Sequence, residues 1–174
     1  MDSSRVVIRL RSITPILFDR YTSISDSNDT EAQKNAIEKL YLDNGVICIP
    51  ANALKACIRE ASSGIGKKTE SKTRRNGIRA GLFFNTDMIP LGPKAPDGIH
   101  AEIVTRKGTG GKVTRVVSYR PFLKSWECEV GASLYGITPA NLKQYIEAAG
   151  LLQGLLGHRP EWGRFELIEL KETK

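Results

Sequence analysis

TPANLKQYIEAAGLLQGLLGHRPEWGRFELIEL, residues 138–170, joins a helix start, a glycine-rich turn and a strand in one run. Thr138-Pro139 opens it with a hydroxyl cap and then a proline at the first helical position, where a missing N–H costs nothing. From about residue 140 to 156 the apolar side chains Leu142, Ile146, Ala149 and Leu152 recur at helical spacing. Residues 157–163 break that period with glycines around Arg159, and residues 164–170 alternate as a strand. Glycine lets a backbone approach a ligand or take φ > 0, and arginine offers planar donors to phosphate. A loop of this kind at the mouth of a strand is suited to a polyanion.

The N-terminal end answers with a second such half. Residues 5–13 (RVVIRLRSI) mix β-branched and basic residues in near alternation, a strand with one buried face that Thr14-Pro15 stops or bends. A polar stretch over residues 19–30 leads to a short helix at 31–40, and Asp43-Asn44-Gly45 turns into a short strand at 46–49. Asn52 is the expected cap of a helix over residues 53–61, with Leu54, Cys57, Ile58 and Ala61 on its apolar face. Residues 67–79 (KKTESKTRRNGIR) carry six basic residues against one acid, too polar a block to pack, and are expected as a mobile surface loop. A strand over residues 81–89 and an irregular connection at 90–98 follow. Residues 99–107 and 112–119 flank Gly108-Thr109-Gly110-Gly111 as a hairpin, and residues 122–130 continue as a strand with Phe122, Lys124, Trp126 and Cys128 on one side.

Reduced to its larger elements, the order is β, α, β, β, α, β. Two right-handed crossovers interleaved in an antiparallel sheet give an α+β, ferredoxin-like or RRM-like βαββαβ arrangement with an inserted basic loop and a projecting hairpin. A length of 174 residues fits a single RRM-like domain, residues 1–174, with insertions at about 19–45, 64–80 and 90–120.

A formal charge of +7 favours an anionic partner. No run approaches about 18 apolar residues, and the N-terminus lacks the apolar segment of a signal peptide, so no membrane association and a cytoplasmic location are expected. Cys48, Cys57 and Cys128 are odd in number, lack CxxC spacing and sit among apolar neighbours. They read as small buried hydrophobes; no metal site and no cofactor are expected.

Four pieces of the chain resemble the RAMP superfamily of CRISPR-associated proteins: the opening strand with its Pro turn (IRLRSITPILFD), the helix start IPANALKACIREA, the basic hairpin between the middle strands, and GLLGHRPEWGRFEL near the end. In that superfamily the first helix follows an Ile-Pro-Gly-Ser-Ser-Leu-Lys-Gly type segment. Residues 49–56 match it at Ile49, Pro50, Leu54 and Lys55, with alanine in place of its glycines. A GxGR-like loop lies before the last strand there; Gly154, Gly157, Gly163 and Arg164 match, with Trp162 where glycine is common. The resemblance implies an RRM-like core that binds RNA, nearest in kind to the backbone subunit that polymerises along a guide RNA. Alanine at positions 51 and 56 weakens the case for the same backbone approach to RNA there.

The candidate nucleic-acid-binding residues fall in four groups. In the glycine-arginine loop, Arg159 and Arg164 neutralise a phosphate that the amides of Gly157 and Gly163 approach, and Trp162 offers a stacking face; alternatively Glu161 pairs with an arginine and Trp162 plugs the core. Lys55 and Arg59, at i and i+4, repel unless an anion lies between them or each is simply solvated. Lys67, Lys68, Lys72, Arg74, Arg75 and Arg79 form the densest charge, suited to a phosphate backbone but without an aromatic residue for base stacking, or serve only solubility. Arg106, Lys107 and Lys112 make the hairpin a basic finger, or discourage edge pairing.

The reading is a single-stranded RNA-binding subunit without catalytic activity of its own, recognising phosphate and shape, and assembling with copies of itself or with other effector subunits. His158, as a general base, and Asp26, through a metal, are the candidates for catalysis. A metal-independent endoribonuclease using His158 or Tyr21 is one alternative; a phage or mobile-element protein of the same fold that binds single-stranded DNA or a protein surface is another.

Overall fold

A computed structural model describes residues 3–23, 28–107, 109–111 and 113–173 of the chain. Asp26 and Lys112 lie outside the described residues, and Arg106 and Lys107 are described by their strand backbone alone.

Along the chain the elements are β1 (Ser3–Ser12), β2 (Ile16–Leu17), α1 (Asp29–Asn35), β3 (Leu42–Asp43), β4 (Val46–Pro50), α2 (Ala51–Ser62), α3 (Ser71–Gly81), β5 (Leu82–Phe84), β6 (Met88–Pro90), β7 (Gly98–Lys107), β8 (Val113–Leu123), β9 (Glu127–Tyr135), α4 (Pro139–Ala148) and β10 (Phe165–Thr173). The architecture is α+β with antiparallel sheets.

The main sheet has the order β10-β1-β9-β5. In β1 the alternation resolves as expected: Val6, Ile8 and Leu10 are buried while Arg5, Arg9 and Arg11 point outward. β10 pairs with β1 from Arg5↔Thr173 to Ser12↔Phe165, with a register shift at Arg9/Leu10, and β9 flanks it on the other side from Ser3↔Tyr135. α2 covers the buried face with Leu54, Cys57, Ile58 and Ala61, and α4 adds Leu142, Tyr145 and Ile146. A second sheet, β2-β8-β7, carries the hairpin, and a third, β3-β4-β6, closes the core over Ile47, Ile49 and Ile89.

Thr138 caps α4 as expected, its side chain accepting from the Asn141 amide at 3.2 Å. The helix then widens to a π turn over Ala149–Gln153, because Gly150 rides directly on β10: a Cβ there would lie 2.0 Å from the Phe165 carbonyl oxygen.

Four local expectations change. Asn52 does not cap α2; the helix begins at Ala51, whose amide donates to the Asp87 carbonyl at 2.8 Å, with Pro50 in the cap position. Residues 67–79 are not a loop but a short 3-10 turn, Lys68–Glu70, followed by α3. Arg74 explains the packing: only 12% exposed, it donates to the carbonyls of Ser62 (2.9 Å) and Lys67 (2.8 Å) and pairs with Glu70 at 3.3 Å, while Ile78 is fully buried. Residues 81–89 divide between two sheets, since the Thr86 hydroxyl turns the chain by bonding both backbone groups of Met88. Residues 122–130 divide likewise: the Asp97 carboxylate accepts from the Lys124 amide at 2.6 Å and the Ser12 hydroxyl from the Trp126 amide at 3.0 Å, ending β8 and restarting the chain as β9.

All three cysteines are free and buried, and burial pushes the thiols of Cys57 and Cys128 up to about 12. A thiol must ionise to react. The native protein is therefore expected to resist a thiol-specific alkylating reagent at pH 8, with all three sites modified only after denaturation; mass spectrometry of the two samples reads this directly. No helix among the described residues is long and apolar enough to cross a membrane.

Candidate nucleic-acid interface

α2 and α3 pack side by side, and their outward faces enclose a groove. The apolar stripe of α2 is spent on the core, which leaves Lys55, Arg59 and Glu60 on its outer side. On α3, Lys72, Arg75, Asn76 and Arg79 fall at i, i+3, i+4 and i+7 and so share one face. Arg59, Lys68, Lys72, Arg75 and Arg79 all line the groove. Among the described residues one carboxylate answers them: Glu60 Oε1 lies 3.1 Å from Arg59 Nη2 and 3.0 Å from Arg75 Nη2. Five cations against one anion give a strip of strongly positive potential, the condition under which a polyanion exchanges its counterions for protein charge.

Lys55 continues the strip by one helical turn. Its ammonium stands 4.7 Å from the centroid of the Phe83 ring. Burial, and secondarily the charge of Arg59, lowers its pKa. The repulsion expected from the i, i+4 spacing is thus present, partly relieved by the ring.

The glycine-arginine loop reaches the same region from the other side. Arg159 is exposed and shares an open pocket with Glu60 of α2, Ser63 just after that helix, Asp19, Arg120 and His158. Glu60 therefore pairs with Arg59 and Arg75 and also lines the pocket that holds Arg159. The loop's amides are not available as the sequence suggested, however. Gly157 N donates to the Leu17 carbonyl at 3.0 Å and Gly163 N to the Pro15 carbonyl at 2.7 Å. Arg164 N bonds the Thr14 hydroxyl, and the Arg164 carbonyl accepts from Ile13 and Thr14. The glycines serve close approach of the chain to itself: a Cβ on Gly163, at φ +75°, would meet Leu155 O at 2.1 Å.

Trp162 packs against His100 and Phe122, with ring centroids 4.9 and 5.9 Å apart, so it fastens the loop to the base of the β7–β8 hairpin. Arg164 is half-buried and its Nε is without a hydrogen-bond partner. Arg74 faces inward, as described above, and the Lys67 side chain is exposed. Arg59, Lys68, Lys72, Arg75 and Arg79 are therefore brought together on one groove, with Lys55 one turn away on α2 and Arg159 in the other pocket, whereas Arg74 and Trp162 are turned to packing.

Sequence reasoning missed the partners of His158. Its Nε2 lies 2.6 Å from Glu102 Oε2 and 2.7 Å from Arg120 Nη1; Arg120, 12% exposed, also reaches Glu102 at 3.1 Å and Asp19 at 2.9 Å. The Arg120 Nε–H does not point along its line to Asp19, so that contact is an ion pair without a hydrogen bond. Lys39 adds a bond to the Tyr119 carbonyl at 2.8 Å and approaches Asp19 at 4.0 Å. Residues 19, 102, 120 and 158 carry no spacing signal, because each comes from a different segment. Nε2 donates to Glu102 in one tautomer and accepts from Arg120 in the other, and in either case this nitrogen is a fastening point of the loop. His158 itself takes φ +53°, and Leu156 φ +60°. Strain of this kind persists only where surrounding contacts over-determine it. No group of three or more metal-ligating side chains occurs among the described residues.

No family model matches the chain, and no curated protein matches it. Among solved structures, a chain from the cryo-EM structure of the Type III-B Cmr-beta bound to cognate target RNA matches with a TM-score of 0.63 at 15% identity, over 99% of this chain and 61% of that one. The crystal structure of Cmr6 from Pyrococcus furiosus matches over 96% of this chain and 99% of that one, with a TM-score of 0.47 at 8% identity. The chain thus spans about three fifths of the first of these. The likeness to the Cmr-beta chain is one of fold, and it agrees with the fold that the resemblance of the motifs implies.

Proposed function

We propose that this chain is a non-catalytic, single-stranded RNA-binding subunit of the kind that lines a guide RNA in a CRISPR effector complex. The observation that carries the reading is the clustering of basic residues from α2 and α3 on one groove, with Arg159 of the glycine-arginine loop in a second pocket that Glu60 of α2 also lines. The target RNA in the matching Cmr-beta structure supports the same partner class.

The whole of residues 1–174 is read as one RRM-like domain with insertions at about 19–45, 64–80 and 90–120. The order of the main sheet, with its last strand beside its first and its first beside its third, supports this reading. The open face of that sheet is a poor RNA platform: Arg9 pairs with Glu129 at 3.6 Å and Arg11 with Glu166 at 2.7 Å. The strand is accordingly assigned to the helical side and the loop, where charge is unbalanced. Phosphate and shape dominate recognition, and longer strands are covered by repetition of the subunit or by neighbouring subunits.

The test is affinity for a short single-stranded RNA as a function of salt, by fluorescence anisotropy. Contact with five phosphates predicts a slope of log K against log salt of about −3.5, or roughly a hundredfold loss between about 50 and 200 mM. Affinity that is flat with salt, or undetectable at low salt, overturns the reading. A DNA oligonucleotide of the same sequence, run in parallel, separates RNA from single-stranded DNA as the preferred partner.

A further inference from the structure

The α2–α3 groove does not fade into solvent at its far end. Beyond Arg79, the last cation of the groove, α3 passes directly into β5, and Phe83 stands on that edge strand with 49% of its surface exposed. Tyr135, 45% exposed at the end of β9, meets it edge to face, with ring centroids 5.8 Å apart and planes at 79°. The end of α3 is pressed against the same residue: a methyl group on Gly81 would lie 2.1 Å from the Tyr135 carbonyl oxygen. Lys55, one turn along α2 from the groove residue Arg59, reaches over the Phe83 ring. Two half-exposed aromatic rings therefore touch the positive strip at one end, contributed by segments about fifty residues apart in sequence.

We infer that Phe83 and Tyr135 form a stacking platform for a nucleobase of the single strand whose phosphates lie along the α2–α3 groove. This rests on the RNA-binding reading above and adds to it a residue pair and a contact type. The basic block contains no aromatic side chain, so phosphate neutralisation alone leaves the bases in water. A strand held by its backbone beside exposed rings gains by laying a base on them, since every base offers a π face and the contact tolerates any sequence. Lys55 fits the junction, with its charge available to the last phosphate and its stem against the ring. Aliphatic exposed residues elsewhere, such as Ile103 on the hairpin or Leu152 beside the loop, offer no comparable π surface.

The experiment uses the full chain and a single-stranded RNA carrying 2-aminopurine, whose fluorescence is quenched on stacking. Binding is expected to quench it. Phe83→Ala with Tyr135→Ala is expected to abolish most of the quenching and weaken affinity about tenfold or more, with the salt slope unchanged because no phosphate contact is lost. Phe83→Leu, which keeps apolar bulk at a half-exposed site, should lose the quenching with an unchanged melting temperature, separating stacking from folding. Affinity within about twofold of the wild type and intact quenching in the double variant overturn the platform, while loss of binding in Lys72→Glu with Arg79→Glu leaves the RNA reading standing. Failure of the wild type to bind RNA overturns both. Loss of self-association in sedimentation with RNA affinity intact assigns the pair to a protein interface and overturns the platform as well.

Discussion

Lys72→Glu combined with Arg79→Glu is expected to weaken binding of single-stranded RNA by roughly a hundredfold or more at low salt and to flatten the salt dependence. Both side chains are exposed on the groove face of α3, so neither substitution opens a cavity or strands a buried partner. Charge-assisted hydrogen bonds contribute about 1.5–3 kcal/mol each, and every 1.4 kcal/mol is tenfold in affinity. Each phosphate contact removed also takes about 0.7 from the slope against log salt, so two lost contacts lower it by about 1.4. The control must separate a groove from a general excess of charge. Arg5→Glu with Lys171→Glu makes the same change in net charge on exposed positions of β1 and β10, on the main sheet. That pair should leave affinity within a few-fold. Equal weakening by the two pairs would mean that the protein attracts RNA as a basic body without a specific track.

The second large effect concerns folding. Gly163→Ala is expected to destabilise the protein by about 3 kcal/mol or more. The residue sits at φ +75°, and the added methyl would lie 2.1 Å from Leu155 O and 2.6 Å from Leu155 N. Those atoms are backbone, and they cannot retreat without breaking the bond from Leu155 N to Gly163 O, 2.9 Å, or from Gly163 N to Pro15 O, 2.7 Å. Strained backbone costs about 1–3 kcal/mol before any clash is counted. For a chain of this size each kcal/mol shifts the midpoint by about 2–4 °C, so thermal melting should drop by roughly 10 °C. Gly77→Ala is the comparison: it lies within α3 with open space around its Cα, and alanine there should be neutral or stabilising by up to about 1 kcal/mol. The pair of substitutions also separates two roles for the loop. If Gly163→Ala keeps its melting point but loses RNA, the Gly163 amide faces a phosphate after all, and the bond to Pro15 is not what holds it.

Several elements were legible because their cause is local. Alternation in residues 5–13 set a strand with one wet face, and Thr138-Pro139 announced a capped helix start. The hairpin was readable from its glycine turn, and its arms proved longer at the base, reaching Gly98 and Leu123. The basic block illustrates the opposite case. Its composition argued against packing, and the helix there depends on Arg74 finding the carbonyl groups at the end of α2, a partner that no window of sequence around residue 74 contains. The glycine-arginine loop lies between these cases. Its residues were recognised as special, yet their reason was misassigned, since a glycine needed for close approach looks the same whether the approaching group is a phosphate or a neighbouring strand.

Periodicity, capping chemistry and charge density are properties of neighbours along the chain, and they sufficed for the helices flanking the core, the buried and exposed faces of the first strand, and the expectation of an anionic partner. Which cations share a groove, which arginine turns inward, how His158 is tied to Glu102 and Arg120, and why Phe83 meets Tyr135 depended on segments that fold onto one another across tens of residues. The physical reason is range: backbone propensity is settled within one or two turns, whereas ion pairs, ring contacts and backbone close approach are settled by whatever the packed sheet brings within a few ångströms.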